Sequence, residues 1–170
     1  MKIYDPKKIL VPIDFSELSG GVIQAGVDIA QHREAEVTIL HVAKETDYLS
    51  HYGGEFPGTS ISVSKLREDA WMVLDGRLRN LVKRLTNSPK VSTDLIWGNP
   101  VRDILRIAES GRFDLIVMAT HGRRMLSRFF LGSVTEEVIR RAPCPVLAIR
   151  AKAAEEILVG AGVQKEEVLN

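Results

Sequence analysis

Five short apolar runs, each separated from the next by a stretch with apolar residues at helical spacing, constrain this chain more than any other feature. The runs are KILVPI (Lys8 to Ile13), VTILHV (Val37 to Val42), STDLIW (Ser92 to Trp97), FDLIVM (Phe113 to Met118) and PVLAI (Pro145 to Ile149). They are short and rich in Val, Ile and Leu, as strands buried on both faces are. Between the first two, Leu18, Val22, Ala25 and Ile29 recur at helical spacing, and Leu66, Ala70, Val73, Leu78, Leu81 and Leu85 mark a longer helix. A third helix starts at Asn99-Pro100, with Asn as N-cap and Pro at the first position. It carries Val101, Ile104, Leu105 and Ala108 inward, and Gly111 stops it. A fourth follows Gly132-Ser133 and turns Val134, Val138 and Ile139 to the core. This alternation predicts a parallel sheet with helices on both faces, a doubly wound α/β fold of five strands.

The bulk properties narrow the function. A chain of 170 residues, 45% of them hydrophobic, suits a single domain with a substantial core. Lys plus Arg is 23 and Asp plus Glu is 22, so there is no overall basic field to draw in nucleic acid, and any anion site must be local. The single Cys144 forms no internal disulfide, and MKIYDPKK does not open a signal segment. No run approaches the roughly 18 apolar residues of a membrane span. The expectation is a cytoplasmic protein that engages neither nucleic acid nor membrane. Lys44 to Ser60 is a long polar loop with glycines and a proline, a candidate lid or simply a mobile connection. Residues 1–150 read as the domain, and 151–170 as a C-terminal tail with one weak helical stretch, an appendage with frayed ends.

In open parallel sheets, ligands bind beyond the carboxyl ends of the strands where the winding reverses. Those ends carry Asp14, Val42, Gly98 and Ala119. With strands one and four as neighbours at the reversal, Asp14 faces the loop ATHGRRMLSRFFLGSV, Ala119 to Val134. Gly122 lets backbone approach a ligand, and Gly132 before a helix exposes the N–H groups of residues 133–135, which favour an anion. Ser133 can offer its hydroxyl to phosphate, but SVTE is also a capping box with Glu136 reaching back, and both readings stay open. DFSE leaves the same choice for Asp14, between capping the first helix and touching a ligand. Arg123, Arg124 and Arg128 either meet phosphates or form a solvated basic loop. The SGGV stretch, Ser19 to Val22, comes five residues after Asp14 and lacks the continuation of an ATP-pyrophosphatase loop. No Walker lysine motif exists, and no G-x-G-x-x-G follows a strand. His32, His41, His51 and His121 lack metal-ligand spacing and read as structural or exposed, and Cys144 as a small buried residue.

Together these segments resemble the universal stress protein family, whose loop after strand four is written G-2x-G-9x-G-[S/T], between a strand ending near MGTHG and a helix followed by APCPVLVV. Here Ala119, Gly122 and Gly132-Ser133 keep the spacing, and APCPVLAI runs from Ala142 to Ile149. The VPxDFS, LHV and GxP motifs stand at Val11 to Ser16, Leu40 to Val42 and Gly98 to Pro100. The resemblance, which spans about residues 5–150, implies a Rossmann-like, HUP-type nucleotide-binding fold with strand order 3-2-1-4-5. It implies ATP, or ADP or AMP, lying across strands one and four, with Mg or Mn held through the phosphates. Pro12, Ile13 and Asp14 would line the adenosine, and the Val42 backbone would meet the adenine edge. Met118, Ala119, Gly122, Arg123, Gly132, Ser133 and Val134 would hold ribose and phosphates. A homodimer would form through Pro145 to Ile149. Ala119 departs from the motif's first glycine, which lowers affinity if that position needs positive φ or touches the ribose. The implied role is a nucleotide-dependent stress-response sensor or interaction module with an unknown protein partner. The alternatives are a slow ATP hydrolase, for which Asp14 is the one candidate base, and a stress-induced dimer that binds no nucleotide. No catalytic residue is assigned.

Overall fold

The computed structural model describes residues 4–46, 63–121 and 131–163. Strands β1 (Lys8–Ile13), β2 (Glu36–Ala43), β3 (Val91–Trp97), β4 (Leu115–Ala119) and β5 (Val146–Ile149) form one sheet. All neighbours are parallel and the order is β3-β2-β1-β4-β5, the Rossmann-like arrangement expected. Helices α1 (Ser19–Arg33), α2 (Val63–Leu85), α3 (Pro100–Ser110), α4 (Ser133–Arg141) and α5 (Ala151–Gly160) cover it.

Alternate strand residues divide the core in two, because successive side chains leave a strand on opposite faces. Ile9, Val11, Val37, Ile39, Leu115 and Val117 point to the face covered by α1, α2 and α5. Leu10, Leu40, Val42, Ile116 and Met118 point to the face covered by α3 and α4.

Several local expectations shift by one position. On α2 the inward stripe is Leu74, Leu78, Leu81 and Val82, and Val73 is 68% exposed. At about 100° per residue, one step carries a side chain off the buried face. On α4, Val138 is buried but Ile139 points outward. Thr135 goes in, because its hydroxyl finds the Ala119 carbonyl at 2.8 Å. Asn99 caps α3 as expected, accepting the Arg102 N–H at 3.1 Å. Gly111 ends that helix with a negative φ, and Arg112 is the left-handed residue. Glycine is required at 111 for space, since a side chain there would run into the Phe113 ring.

The segment after Arg150 is integrated where it is described. Ala154 and Leu158 of α5 are buried in the core beside α1. A side chain at Gly21 would collide with the Ala154 carbonyl, so this glycine of SGGV serves helix packing. That explains why α1 is buried from Ser19 to Val27: the sheet lies on one side and α5 on another.

Register decides where a ligand can enter. β1 pairs with β2 from Lys8↔Glu36 through Ile13↔His41, but with β4 only at Ile9↔Leu115 and Leu10↔Ile116. Beyond Leu10 and Ile116 the two strands part, at the point where the winding reverses.

Candidate functional site

The parting of β1 and β4 opens a cleft of about 400 Å³. Pro12, Ile13, Asp14, Val42, Met118, Ala119, Gly132, Ser133 and Val134 all line it, although they come from four separate stretches of sequence. Gly122 and Arg123 lie outside the described residues, as do Arg124, Arg128 and His51, and so does the candidate lid apart from Lys44, Glu45 and Thr46.

The first wall is the turn after β1. Asp14 Oδ1 accepts the Ser16 N–H at 3.0 Å, a local Asx turn. It does not cap α1, which begins at Ser19 with Leu18 in the cap position. Phe15 takes φ 59°, a conformation that costs a non-glycine residue about 1 kcal/mol or more. Its ring is fixed by His41, with centroids 4.3 Å apart, and by the Arg77 guanidinium 4.6 Å above it. His41 Nδ1 in turn lies 2.8 Å from the Ile13 carbonyl. The strained turn is therefore clamped from β2 and α2.

The opposite wall is the N-terminus of α4. Gly132 is its cap residue, and no side chain caps the helix. The capping-box reading of Ser133 fails: Ser133 is the first helical residue, and Glu136 pairs with Arg140 at 2.6 Å. Two bonds clip this N-terminus to the end of β4, Gly132 N–H to the Thr120 carbonyl at 2.7 Å and Thr135 Oγ1 to the Ala119 carbonyl. Gly132 has φ −63°, so the glycine serves close approach. A Cβ there would stand 3.2 Å from His121 Cα and 3.3 Å from the Thr120 carbonyl oxygen. Ala119 lies within β4 opposite Ile149 and is absent from the positive-φ residues, so its methyl group brings no backbone strain.

The sequence reading missed other residues that line the cleft: Ser16, Ser19, Val22, His41, Lys44, Pro100, Ile104, His121 and Thr135. Ser16 and Ser19 are 8% and 3% exposed, and their hydroxyls have no hydrogen-bond partner among the described residues. Ser16 ends the VPxDFS motif and Ser19 opens SGGV, but neither motif shows that the hydroxyl is buried without a partner. Pro100 and Ile104 arrive through α3, whose start is fixed by Asp103. Its carboxylate accepts the Asn99 N–H and pairs with Arg102, both at 2.8 Å, and a side chain at Gly98 would collide with it.

A second hollow, about 820 Å³, is lined by the first turns of α2 with Trp97, including Arg67, Trp71 and Met72. Although larger, the described residues that line it come only from α2 and the end of β3. The cleft at the reversal has the chemistry of a ligand site, with apolar walls, a few converging polar groups and a volume in the usual range of roughly 300–1,000 Å³. Among the described residues no group of three His, Cys, Asp or Glu is placed to hold a metal ion. No described helix is long and apolar enough to cross a membrane.

Fold and cleft define a doubly wound α/β protein with a candidate site at the winding reversal. The chain belongs to the universal stress protein family, whose family model matches residues 6–150. It is 31% identical over 149 residues to the universal stress protein MJ0531 of Methanocaldococcus jannaschii, covering 88% of this chain and 85% of that one. It is 34% identical over 160 residues to MJ0577 of the same organism, covering 86% and 96%. The solved structure of MJ0577 matches with a TM-score of 0.70 at 30% identity, over 87% of this chain and 97% of that one. A universal stress protein solved in complex with cAMP shares the fold, with a TM-score of 0.62 at 19% identity over 86% and 98%.

Proposed function

We propose that the cleft binds ATP, or ADP or AMP in its place, and that the protein works as a nucleotide-dependent sensor or interaction module in the stress response. One observation carries this reading: nine positions singled out from separate motifs converge on one cleft whose far wall is a helix N-terminus held open by the Gly132–Thr120 bond. Pro12, Ile13, Asp14 and Val42 would take the adenosine, with Met118, Ala119, Gly132, Ser133 and Val134 at the ribose and phosphates. Gly122 and Arg123 are proposed to complete the phosphate side. A helix N-terminus favours negative charge through its unpaired N–H groups and dipole. With no protein metal cluster among the described residues, Mg or Mn would enter bound to the phosphates. A universal stress protein that shares the fold was solved in complex with cAMP, which is in keeping with this reading.

The working state proposed is a cytoplasmic homodimer joined along β5, with residues 1–150 as the stress-protein domain and 151–170 as a C-terminal addition. Nucleotide would shift the population of conformers around the cleft and so change the surface offered to a protein partner. Mass spectrometry of nucleotide released on denaturing the purified protein tests the binding directly. Added ATP should also stabilise the native state, by about 2.7 kcal/mol at a hundred times its dissociation constant. If no adenine nucleotide is released and ATP leaves the melting temperature unchanged, the protein belongs to a branch that binds none.

A further inference from the structure

We infer that His121 is a phosphate-contacting residue of the cleft, donating from Nε2 to an anionic ligand oxygen. The inference rests on the nucleotide reading and adds to it a residue that the loop motif, with its glycines and serine, does not single out. His121 lines the cleft next to the α4 N-terminus. Its Nε2 is buried and has no hydrogen-bond partner among the described residues. A buried polar atom left unpaired is costly, and such atoms mark sites completed by water or ligand.

The ring is held in place for this role. Its Nδ1 lies 2.8 Å from Thr120 Oγ1. With the Thr120 hydroxyl donating, a neutral imidazole carries its single proton on Nε2, which makes that atom a donor. Thr120 is itself anchored, because its N–H donates to the Ile149 carbonyl at 2.9 Å and its carbonyl accepts the Gly132 N–H at 2.7 Å. Thr120 therefore ties the His121 backbone to the first turn of α4, and a Cβ on Gly132 would stand 3.2 Å from His121 Cα, so this residue lies next to the helix terminus where an anion is favoured. Glu136 in the first turn opposes a bound anion, and a further donor near the terminus offsets it.

Two measurements on the full chain test this. Calorimetry compares ATP with adenosine on the wild type, His121→Ala and His121→Gln. A hydrogen bond to a charged group should make His121→Ala lose about tenfold or more in ATP affinity. Its adenosine affinity and melting temperature should stay unchanged, and Gln, whose amide keeps a donor, should recover part of the loss. In ¹⁵N-histidine spectra of the wild type, assigned with His121→Gln, ATP should move the His121 Nε2 resonance and adenosine should not. If the wild type binds ATP but His121→Ala binds it equally well, or loses ATP and adenosine alike, the role of His121 is overturned and the nucleotide reading stands. An unmoved Nε2 resonance at saturating ATP overturns it without any variant. If the wild type binds no ATP, both readings fall together.

Discussion

Two carboxylates show how far environment separates residues of one chemical type. Asp103 is 4% exposed and accepts from the Asn99 N–H, from Arg102 and from Arg106 at 3.2 Å. Its hydrogen bond from Arg102, foremost, holds its carboxyl below the ordinary range, with Asn99 and Arg106 assisting against the opposing effect of burial. The unfolded chain therefore takes up this proton first on acidification. The stability Asp103 contributes is complete above its unfolded pKa, about 3.9, and is lost as pH falls through the folded value. Asp103→Asn should be less stable than wild type near neutrality, and urea titrations from pH 7 to pH 3 should show the gap closing on the acid side. A gap constant with pH would mean the charge is not what matters. Asp14 accepts the backbone N–H of Ser16, a bond that an amide oxygen also accepts. Asp14→Asn should fold normally with at most a modest loss of ATP affinity. Any ATP turnover by the wild type should lie well below about 1 per second and survive the change. A rate inside the usual enzymatic range, abolished by this substitution, would establish the hydrolase in place of the sensor.

Within the helices, glycines with unlike surroundings make opposite predictions. Gly76 lies inside α2 with nothing within 4 Å of where its Cβ would stand, so Gly76→Ala should stabilise by about 0.5–1 kcal/mol. Gly21 lies inside α1 against the backbone of α5, and the Ala154 carbonyl cannot swing aside as a side chain can. Gly21→Ala should cost about 1–3 kcal/mol as α5 is pushed off. Chemical denaturation of the two variants checks both signs. Nothing in the local sequence distinguishes these glycines, because their difference is set by a helix more than a hundred residues away along the chain. The same limit explains what could and could not be read beforehand. Strands announced themselves, since Leu10 and Leu40 face one core and Ile9 and Ile39 the other, leaving continuous apolar runs. The helix faces of α2 and α4 slipped by a residue, at Val73 and Ile139, because an apolar residue beside the stripe looks like one within it. Ser133 matched a capping box, yet Gly132 holds the cap position because its N–H is already drawn to Thr120. The cleft positions came from motifs at strand ends. His121 and the Ser16–Ser19 pair were missed because burial without a partner is a property of the folded molecule alone.

For the whole molecule, the open question of architecture is the edge of the sheet at β5. One side of β5 is taken by β4, and in the order β3-β2-β1-β4-β5 the other side has no neighbouring strand among the described residues. Unpaired edges with apolar side chains invite a second copy, and Leu147 on this edge is 41% exposed. The Pro145 carbonyl accepts from Ile116 at 3.0 Å and the Ile149 carbonyl from Thr120 at 2.9 Å. In a parallel pair, residues whose backbone faces the neighbour alternate with residues whose backbone faces away. Leu147 therefore bonds to β4, while the N–H groups of Val146 and Ala148 point outward. This separates two proline substitutions that look equivalent in the sequence. Leu147→Pro would remove a bond to β4 and loosen the monomer itself, so a loss of dimer there would prove little. Ala148→Pro removes only an outward N–H, the placement in which an edge strand tolerates proline, and it keeps Leu147 extended. Light scattering at micromolar concentration should find the wild type dimeric. Ala148→Pro should be monomeric with its urea midpoint changed only by the lost subunit contact. If Ala148→Pro stays dimeric, the copies meet through another surface, and if the wild type is monomeric this edge is not used under those conditions.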